Sequence, residues 1–256
     1  MARVLAVVNQ KGGVGKTTTS VNLAAGLALA GQRVLLVDLD PQGNATMGSG
    51  IDKRSLARTV YHVLLGLSDI AHIRTRSQTG RFELVPANRE LAGAEVELVD
   101  LPNRERRLRD ALATIEAEYR FILIDCPPSL SLLTLNGLTA AQQVLIPMQC
   151  EYYALEGLTD LVATIKRVRA HLNPTLEIAG LLRTMYDSRN TLSLQVSQQL
   201  ESHFGDKVYR TLVPRNVRLA EAPSFGTPAV VWDRASKGAQ AYLALAEEVL
   251  AEADRR

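Results

Sequence analysis

Residues 10–18, Gln-Lys-Gly-Gly-Val-Gly-Lys-Thr-Thr, combine the residue types that work on a polyphosphate requires. In the run Gly12, Gly13, Val14, Gly15, three of four residues lack a side chain, so backbone N–H groups can crowd around phosphate oxygens. Lys16 has the reach and charge for β- and γ-phosphates, the Thr17 hydroxyl is a ligand for Mg²⁺, and Thr18 sits in the first turn of a helix whose N-terminus adds donors and a favourable dipole. A turn that only joins a strand to a helix has no need of Gly-Lys-Thr at its end. One position departs from the pattern G-x-x-x-x-G-K-[ST]: Gln10 stands where a glycine is expected, and a second lysine, Lys11, follows it. Lys11 reads either as a solvated loop charge or, since Lys16 already fills the local slot, as a cation for phosphate held by a neighbouring subunit. In the second case nucleotide joins a homodimer.

Acidic residues elsewhere complete the chemistry. Asp125 closes the apolar run Phe121–Ile124, where a carboxylate can hold Mg²⁺ through its water shell, although an acid there is also an ordinary turn residue before Pro127. Asp38 and Asp40 follow another apolar run. Two carboxylates beside a triphosphate repel it unless a cation or a water-orienting task keeps them there.

The elements that must position these groups alternate in type. Strands are expected at Arg3–Val8, Arg33–Val37, Phe82–Val85, Phe121–Ile124, Gln143–Pro147, Ile178–Met185 and Val208–Val213, with helices at Thr17–Ala30, Arg104–Glu118, Leu132–Ala140, Leu155–His171, Leu192–Phe204 and Ser236–Ala253. This is the pattern of an α/β fold with a mostly parallel twisted sheet and helices on both faces. The stretches Asp40–Ile73 and Pro214–Pro228 carry Gly, Pro, Asn and Ser at irregular spacing and read as long loops at the ligand end of the sheet. No Pro/Gly/Ser-rich linker divides residues 1–256, which read as one domain.

Composition narrows the class of function. Hydrophobic residues at 46% and charged residues at 22% indicate a folded core rather than disorder. A net charge of +2 is too small to attract nucleic acid in bulk, so such a partner needs a local patch. Cys126 and Cys150 cannot build a disulfide framework or a four-ligand zinc site. No signal-peptide core is visible and no apolar run approaches the ~20 residues of a transmembrane helix, so a cytoplasmic protein without stable membrane association is expected.

Several segments, in order along nearly the whole chain, resemble the ParA/MinD group of ATPases with a deviant Walker A motif, and among them the short, Soj-like chromosomal ParA proteins. These are Lys11–Thr17, Val37-Asp-Leu-Asp-Pro-Gln-Gly-Asn44, Ile124-Asp-Cys-Pro-Pro128, Gln149-Cys-Glu-Tyr-Tyr-Ala-Leu-Glu-Gly157 and Pro214-Arg-Asn-Val-Arg218. The resemblance implies a slow DNA segregation ATPase using ATP and Mg²⁺, in which Asp40 positions the attacking water, Lys11 and Lys16 assist hydrolysis, and Asp38 stands near the magnesium shell. It matches Pro214 and Asn216 to the adenine-contacting loop, a segment that otherwise reads as a turn ending a strand. It implies a homodimer around ATP, reset by a ParB-like protein and associated with the nucleoid.

Between Lys166 and Arg218 nine basic residues face four acidic ones. Such a cluster is a solvated face or a patch for the phosphates of double-stranded DNA, bound without regard to sequence. The resemblance assigns DNA contacts to Arg189 and Arg218. No helix-turn-helix precedes residue 10, so operator reading is not expected. Several rivals share the scaffold, among them a relative that positions some other cargo and an electron carrier, which would need cysteines to bridge a cluster across a dimer. A MinD-like membrane ATPase needs a basic amphipathic C-terminal helix, whereas Ser236–Ala253 carries Glu247, Glu248 and Glu252, which anionic lipid repels. A small-molecule ATP-dependent ligase would consume ATP with an acceptor and ignore DNA.

Overall fold

The computed structural model describes residues 2–255. Eight strands hydrogen-bond into one sheet: β1 (Arg3–Val7), β2 (Val34–Asp38), β3 (Thr75–Arg76), β4 (Glu83–Val85), β5 (Phe121–Asp125), β6 (Gln143–Gln149), β7 (Glu177–Tyr186) and β8 (Val208–Pro214). Their spatial order is β3-β4-β2-β5-β1-β6-β7-β8, and every pairing is parallel except β3 with β4. The five longer helices are α1 (Lys16–Leu29), α2 (Leu132–Ala140), α3 (Ala154–His171), α4 (Thr191–Phe204) and α5 (Lys237–Asp254).

Alternation along the central strands explains why both faces are covered. Leu5, Val7, Leu36, Phe121 and Leu123 pack with Leu23 and Leu27 of α1 and Tyr242 and Leu245 of α5. Their strand neighbours Val4, Ala6, Val37, Ile122 and Ile124 enter the opposite layer with Leu138, Leu161 and Leu200 of α2, α3 and α4. Successive side chains leave opposite faces of a strand, so continuous apolar runs fill two layers at once. Helix α1 stops where Gly31 adopts φ 81°, with its N–H on Ala28 O and that of Gln32 on Leu27 O, which satisfies carbonyls at the helix end. Ser236 caps α5 by accepting from Ala239 N at 3.3 Å.

The expected strands and long helices are present, with ends shifted by one or two residues. Three expectations need correction. Asp40–Ile73 is not one loop but contains helical turns at Asn44–Gly48, Val60–Leu64 and Ile70–Ile73, and Pro214–Pro228 contains Val217–Glu221 and a 3₁₀ turn at Ala222–Phe225. The helix expected over Arg104–Glu118 is confined to Arg107–Ala113, followed by a 3₁₀ turn at Glu116–Glu118. Strand β3 has two residues, too few for a period-two pattern to register, and pairs antiparallel as an edge.

The far edge of the sheet has its own closure. The Glu248 carboxylate on α5 accepts from Arg210 N at 2.7 Å and Thr211 N at 3.1 Å, two amides of the outermost strand β8. Among the described residues no helix is long and apolar enough to cross a membrane.

Candidate nucleotide site

Strand register brings the acidic residues to the phosphate loop. Val7 aligns with Asp125, and Asp125 with Asp38, so β1, β5 and β2 end at one level. The loop from Asn9 to Gly15 leaves β1 there and turns into α1. Gly15 occupies the N-cap at φ 90°, ψ 24°, a left-handed conformation that a side chain would strain, and it supplies no capping group. The amides at the start of α1 are therefore available to an anion. The loop is held from outside: Asn9 Oδ1 accepts from Lys11 N at 2.9 Å, and Thr184 Oγ1 on β7 donates to Val14 O at 2.7 Å.

Lys16 is 7% exposed and donates from Nζ to Lys11 O at 3.0 Å, across the mouth of the loop. Burial lowers its pKa, opposed by the charges of Asp125 and Asp40. Thr17 Oγ1 donates to Asp125 Oδ2 at 2.8 Å, and the Ser20 hydroxyl lies 2.8 Å from Asp125 Oδ1. A hydroxyl touching a buried carboxylate at a helix N-terminus is the hard-oxygen pair that suits Mg²⁺, whose remaining positions go to water and phosphate. These residues fit that ion. Among the described residues no group of three or more His, Cys, Asp or Glu side chains forms an all-protein cage, and Mg²⁺ bound with a triphosphate needs none.

Asp38 has a different environment from the one expected. Its Oδ2 accepts from Thr46 N at 2.8 Å and Thr46 Oγ1 at 2.7 Å, and its Oδ1 from Asp40 N at 3.1 Å. Both oxygens are thus engaged in fastening the turn that carries Asp40. Asp40 is 9% exposed; Oδ1 accepts from Gln42 N at 2.9 Å, and Oδ2 has no partner among the described residues. That free oxygen can take a water.

Asp38 and Asp125 are fully buried on neighbouring strands. Burial drives the Asp125 carboxyl up to about 7, with the Asp38 charge adding to the rise. Burial likewise raises Asp38, to about 6, against the Thr46 hydrogen bonds that favour its ionised form. Both groups therefore hold protons more tightly in the fold than in the unfolded chain. Protein free of nucleotide and metal should lose stability as pH rises from ~4 through ~7, because folding then requires two buried carboxylates beside each other to ionise. Calorimetry should find a lower melting temperature at about pH 8 than at about pH 5, and Asp125→Asn should flatten the difference. A midpoint independent of pH in the unsubstituted protein would contradict this.

The Lys11 side chain is half-exposed and pairs its ammonium with Glu151 in the loop after β6. Beside Glu151, Tyr152 and Tyr153 are 74% and 73% exposed and pack edge to face. A Cβ on Gly12 would meet nothing within 4 Å in the protomer. Pro214 ends β8, and Asn216 caps the next helix by accepting from Arg218 N at 2.9 Å. Neither lines the groove of about 430 Å³ that opens beside Thr17 and Thr18, between Asn44, Met47 and the segment 222–229. The matched arginines are both paired. Arg189 meets Asp187 at 2.9 Å, and Arg218 meets Glu221 at 2.9 Å and Asp233 at 3.2 Å while lying over the Trp232 ring. Cys126 and Cys150 are buried free thiols, their pKa values pushed up by burial.

Ser20, Thr46, Glu151 and Thr184 belong to the site although the motif does not single them out. Ser20 is within reach of sequence reasoning, being one turn along α1 from Thr17; the other three arrive through tertiary contacts.

A parallel sheet ending in a glycine-lysine-threonine loop, with a strand-end aspartate on the threonine, defines a phosphate-loop nucleotide hydrolase. Residues 2–178 match the family described as an AAA domain. The chain is 53% identical over 251 residues to the sporulation initiation inhibitor protein Soj of Bacillus subtilis, covering 98% of this chain and 99% of that protein. It is 52% identical over 257 residues to the chromosome partitioning protein ParA of Caulobacter vibrioides, covering 99% and 96%. A crystal structure from Mycobacterium smegmatis, named cobyrinic acid a,c-diamide synthase and holding ADP and magnesium, superposes with a TM-score of 0.86 at 42% identity over 98% of this chain and 94% of that one. The chain belongs to the ParA/Soj family of ATPases.

Proposed function

We propose that this protein is a DNA segregation ATPase that pairs around two ATP–Mg²⁺, holds double-stranded DNA without regard to sequence in that paired state, and is released when a ParB-like protein stimulates hydrolysis. The observation that carries the reading is the division between the motif's two lysines: Lys16 is buried at the mouth of the loop, while the Lys11 ammonium is half-exposed and pairs with Glu151. A protomer with its own phosphate cation in place can offer the second one to a partner.

In this reading Gly12, Gly13, Val14, Gly15 and Thr18 cradle the phosphates with backbone amides, and Lys16 offsets charge on the β- and γ-phosphates. Thr17, and Asp125 through water, would hold Mg²⁺, which when bound would supply charge neutralisation at the phosphates. Asp40 orients water toward the γ-phosphate, Asp38 holds the turn of Asp40 at the edge of the ion's water shell, and Lys11 neutralises charge on the partner's nucleotide. Pro214 and Asn216 face the base. One domain serves the whole cycle, in the cytoplasm and on the nucleoid.

The test is ATP turnover measured with DNA and a ParB-like protein, separately and together. Slow basal turnover raised most by both is expected; no response to either overturns the reading. Arg189→Ala with Arg218→Ala should weaken retention on DNA by about tenfold at low salt without changing ATP affinity, since each removes a cation from phosphate. Equal retention would remove those two residues from the interface. The name of the Mycobacterium smegmatis neighbour favours a second reading, amide formation on a small acid at the expense of ATP. Turnover that rises with a carboxylic acid acceptor and ammonia or glutamine, and ignores DNA, would select it.

A further inference from the structure

Arg189 and Arg218 come to DNA already neutralised. Asp187 is held at about 2 by its hydrogen bonds from Arg189, and Arg218 lies between two carboxylates. A cation paired in this way must share or break its ion pair to meet a phosphate.

Three other cations of the basic stretch have no such partner. Lys166 and Arg169, three residues apart on α3, line one cavity of about 340 Å³ with Lys207, which immediately precedes β8. Among the described residues none of the three side chains makes a hydrogen bond or ion pair. Apolar Val162, Ile165, Leu176 and Ile178 form the rest of the lining, together with Glu177. Lysine and arginine stems settle on such a surface while their charged ends stay in water, which limits the freedom lost when a phosphate is bound. Arg167, on the same helix and exposed, adds charge next to the cavity.

The position matters as much as the charge. Glu177 and Ile178 begin β7 and Lys207 leads into β8, so the cavity lies at the strand starts, while the phosphate loop lies at the strand ends. Polyanion held here does not compete with nucleotide for Lys16 or cover Lys11.

We infer that Lys166, Arg169 and Lys207 form a second phosphate-contacting patch for duplex DNA at the end of the sheet remote from the nucleotide loop. The inference rests on the DNA-binding reading above and adds residues to it. An unpaired cation displaces the counterions condensed on the duplex without first giving up an ion pair of its own, so these three should govern the salt dependence more strongly than the paired arginines.

The experiment is binding of a random-sequence DNA duplex to full-length protein saturated with a non-hydrolysable ATP analogue and Mg²⁺, over a series of salt concentrations. Lys166→Gln, Arg169→Gln and Lys207→Gln combined should weaken binding at least about tenfold at low salt, and should flatten the slope of log affinity against log salt by ~0.9 for each phosphate no longer neutralised. The charge-conserving set Lys166→Arg, Arg169→Lys and Lys207→Arg should keep both affinity and slope, which separates removal of charge from damage to the fold. Unchanged affinity and slope in the glutamine variant, with binding weakened in Arg189→Ala plus Arg218→Ala, overturns the patch and leaves DNA binding standing. Weaker binding at an unchanged slope also overturns it, since the residues would then be acting other than through phosphate. A protein without any of these substitutions that fails to hold DNA overturns the patch and the DNA-binding reading together.

Discussion

Lys16→Ala should reduce ATP affinity by ~10³-fold, about 4 kcal/mol, the scale expected when one member of a desolvated, hydrogen-bonded charge pair is removed. Lys16 is the cation at the mouth of the loop, and three carboxylates, Asp38, Asp40 and Asp125, cluster on the side where the phosphates would lie. Removing its charge leaves those acids facing a triphosphate with only backbone amides, and no cation in the protomer's loop mouth, to offset the repulsion. Titration with a fluorescent ATP analogue measures the effect, and a melting curve of the variant shows whether the fold survives. Affinity within a few fold of the unsubstituted protein would contradict the assignment.

Asp40→Ala should act on turnover rather than binding. The Asp38–Thr46 hydrogen bonds fix the turn that presents Asp40, and its Oδ2 is the oxygen left for a water. Loss of a preorganised group that aligns the nucleophile costs on the order of 10²–10³ in rate. ATP affinity should stay close to normal, so the variant should accumulate with ATP bound and sediment as a dimer. Two results would count against this: hydrolysis at the normal rate removes Asp40 from its role, and an ATP-saturated variant that sediments only as a monomer removes the pairing of protomers.

The parts of the structure that depend on local pattern are legible in the sequence. Phe121–Asp125 and Leu132–Ala140 are set by an apolar run and by helical spacing between clear breaks, and the phosphate loop follows from residue types at fixed offsets within a strand-turn-helix context. Assignments that depend on what meets what across the fold are less accessible. Asp38 reads in sequence as a supporting acid near the ion; its Oδ1 is taken by Asp40 N and its Oδ2 by Thr46, which enters through a five-residue helix too short to leave a periodic signal. Lys11 reads as a solvated loop charge or as a cation for a neighbouring subunit's phosphate; in the protomer it meets Glu151, 140 positions away, which no local pattern signals. Arg189 and Arg218 read as open cations because a sum of charges over a segment does not tell which acid meets which base; Asp187, Glu221 and Asp233 are the acids that pair them. Net charge reports composition; ion pairing is decided by the fold.

An exposed outer strand offers a template on which a neighbouring chain can extend the sheet, and a protein that carries one stays free of fibres only if that template is blunted. Here a single glutamate from the last helix accepts from two consecutive amides of that strand, so a donor that an incoming strand would use there is already taken. Open-ended growth by strand addition is thereby disfavoured at that border. Glu248→Ala would reopen the border without touching the nucleotide loop.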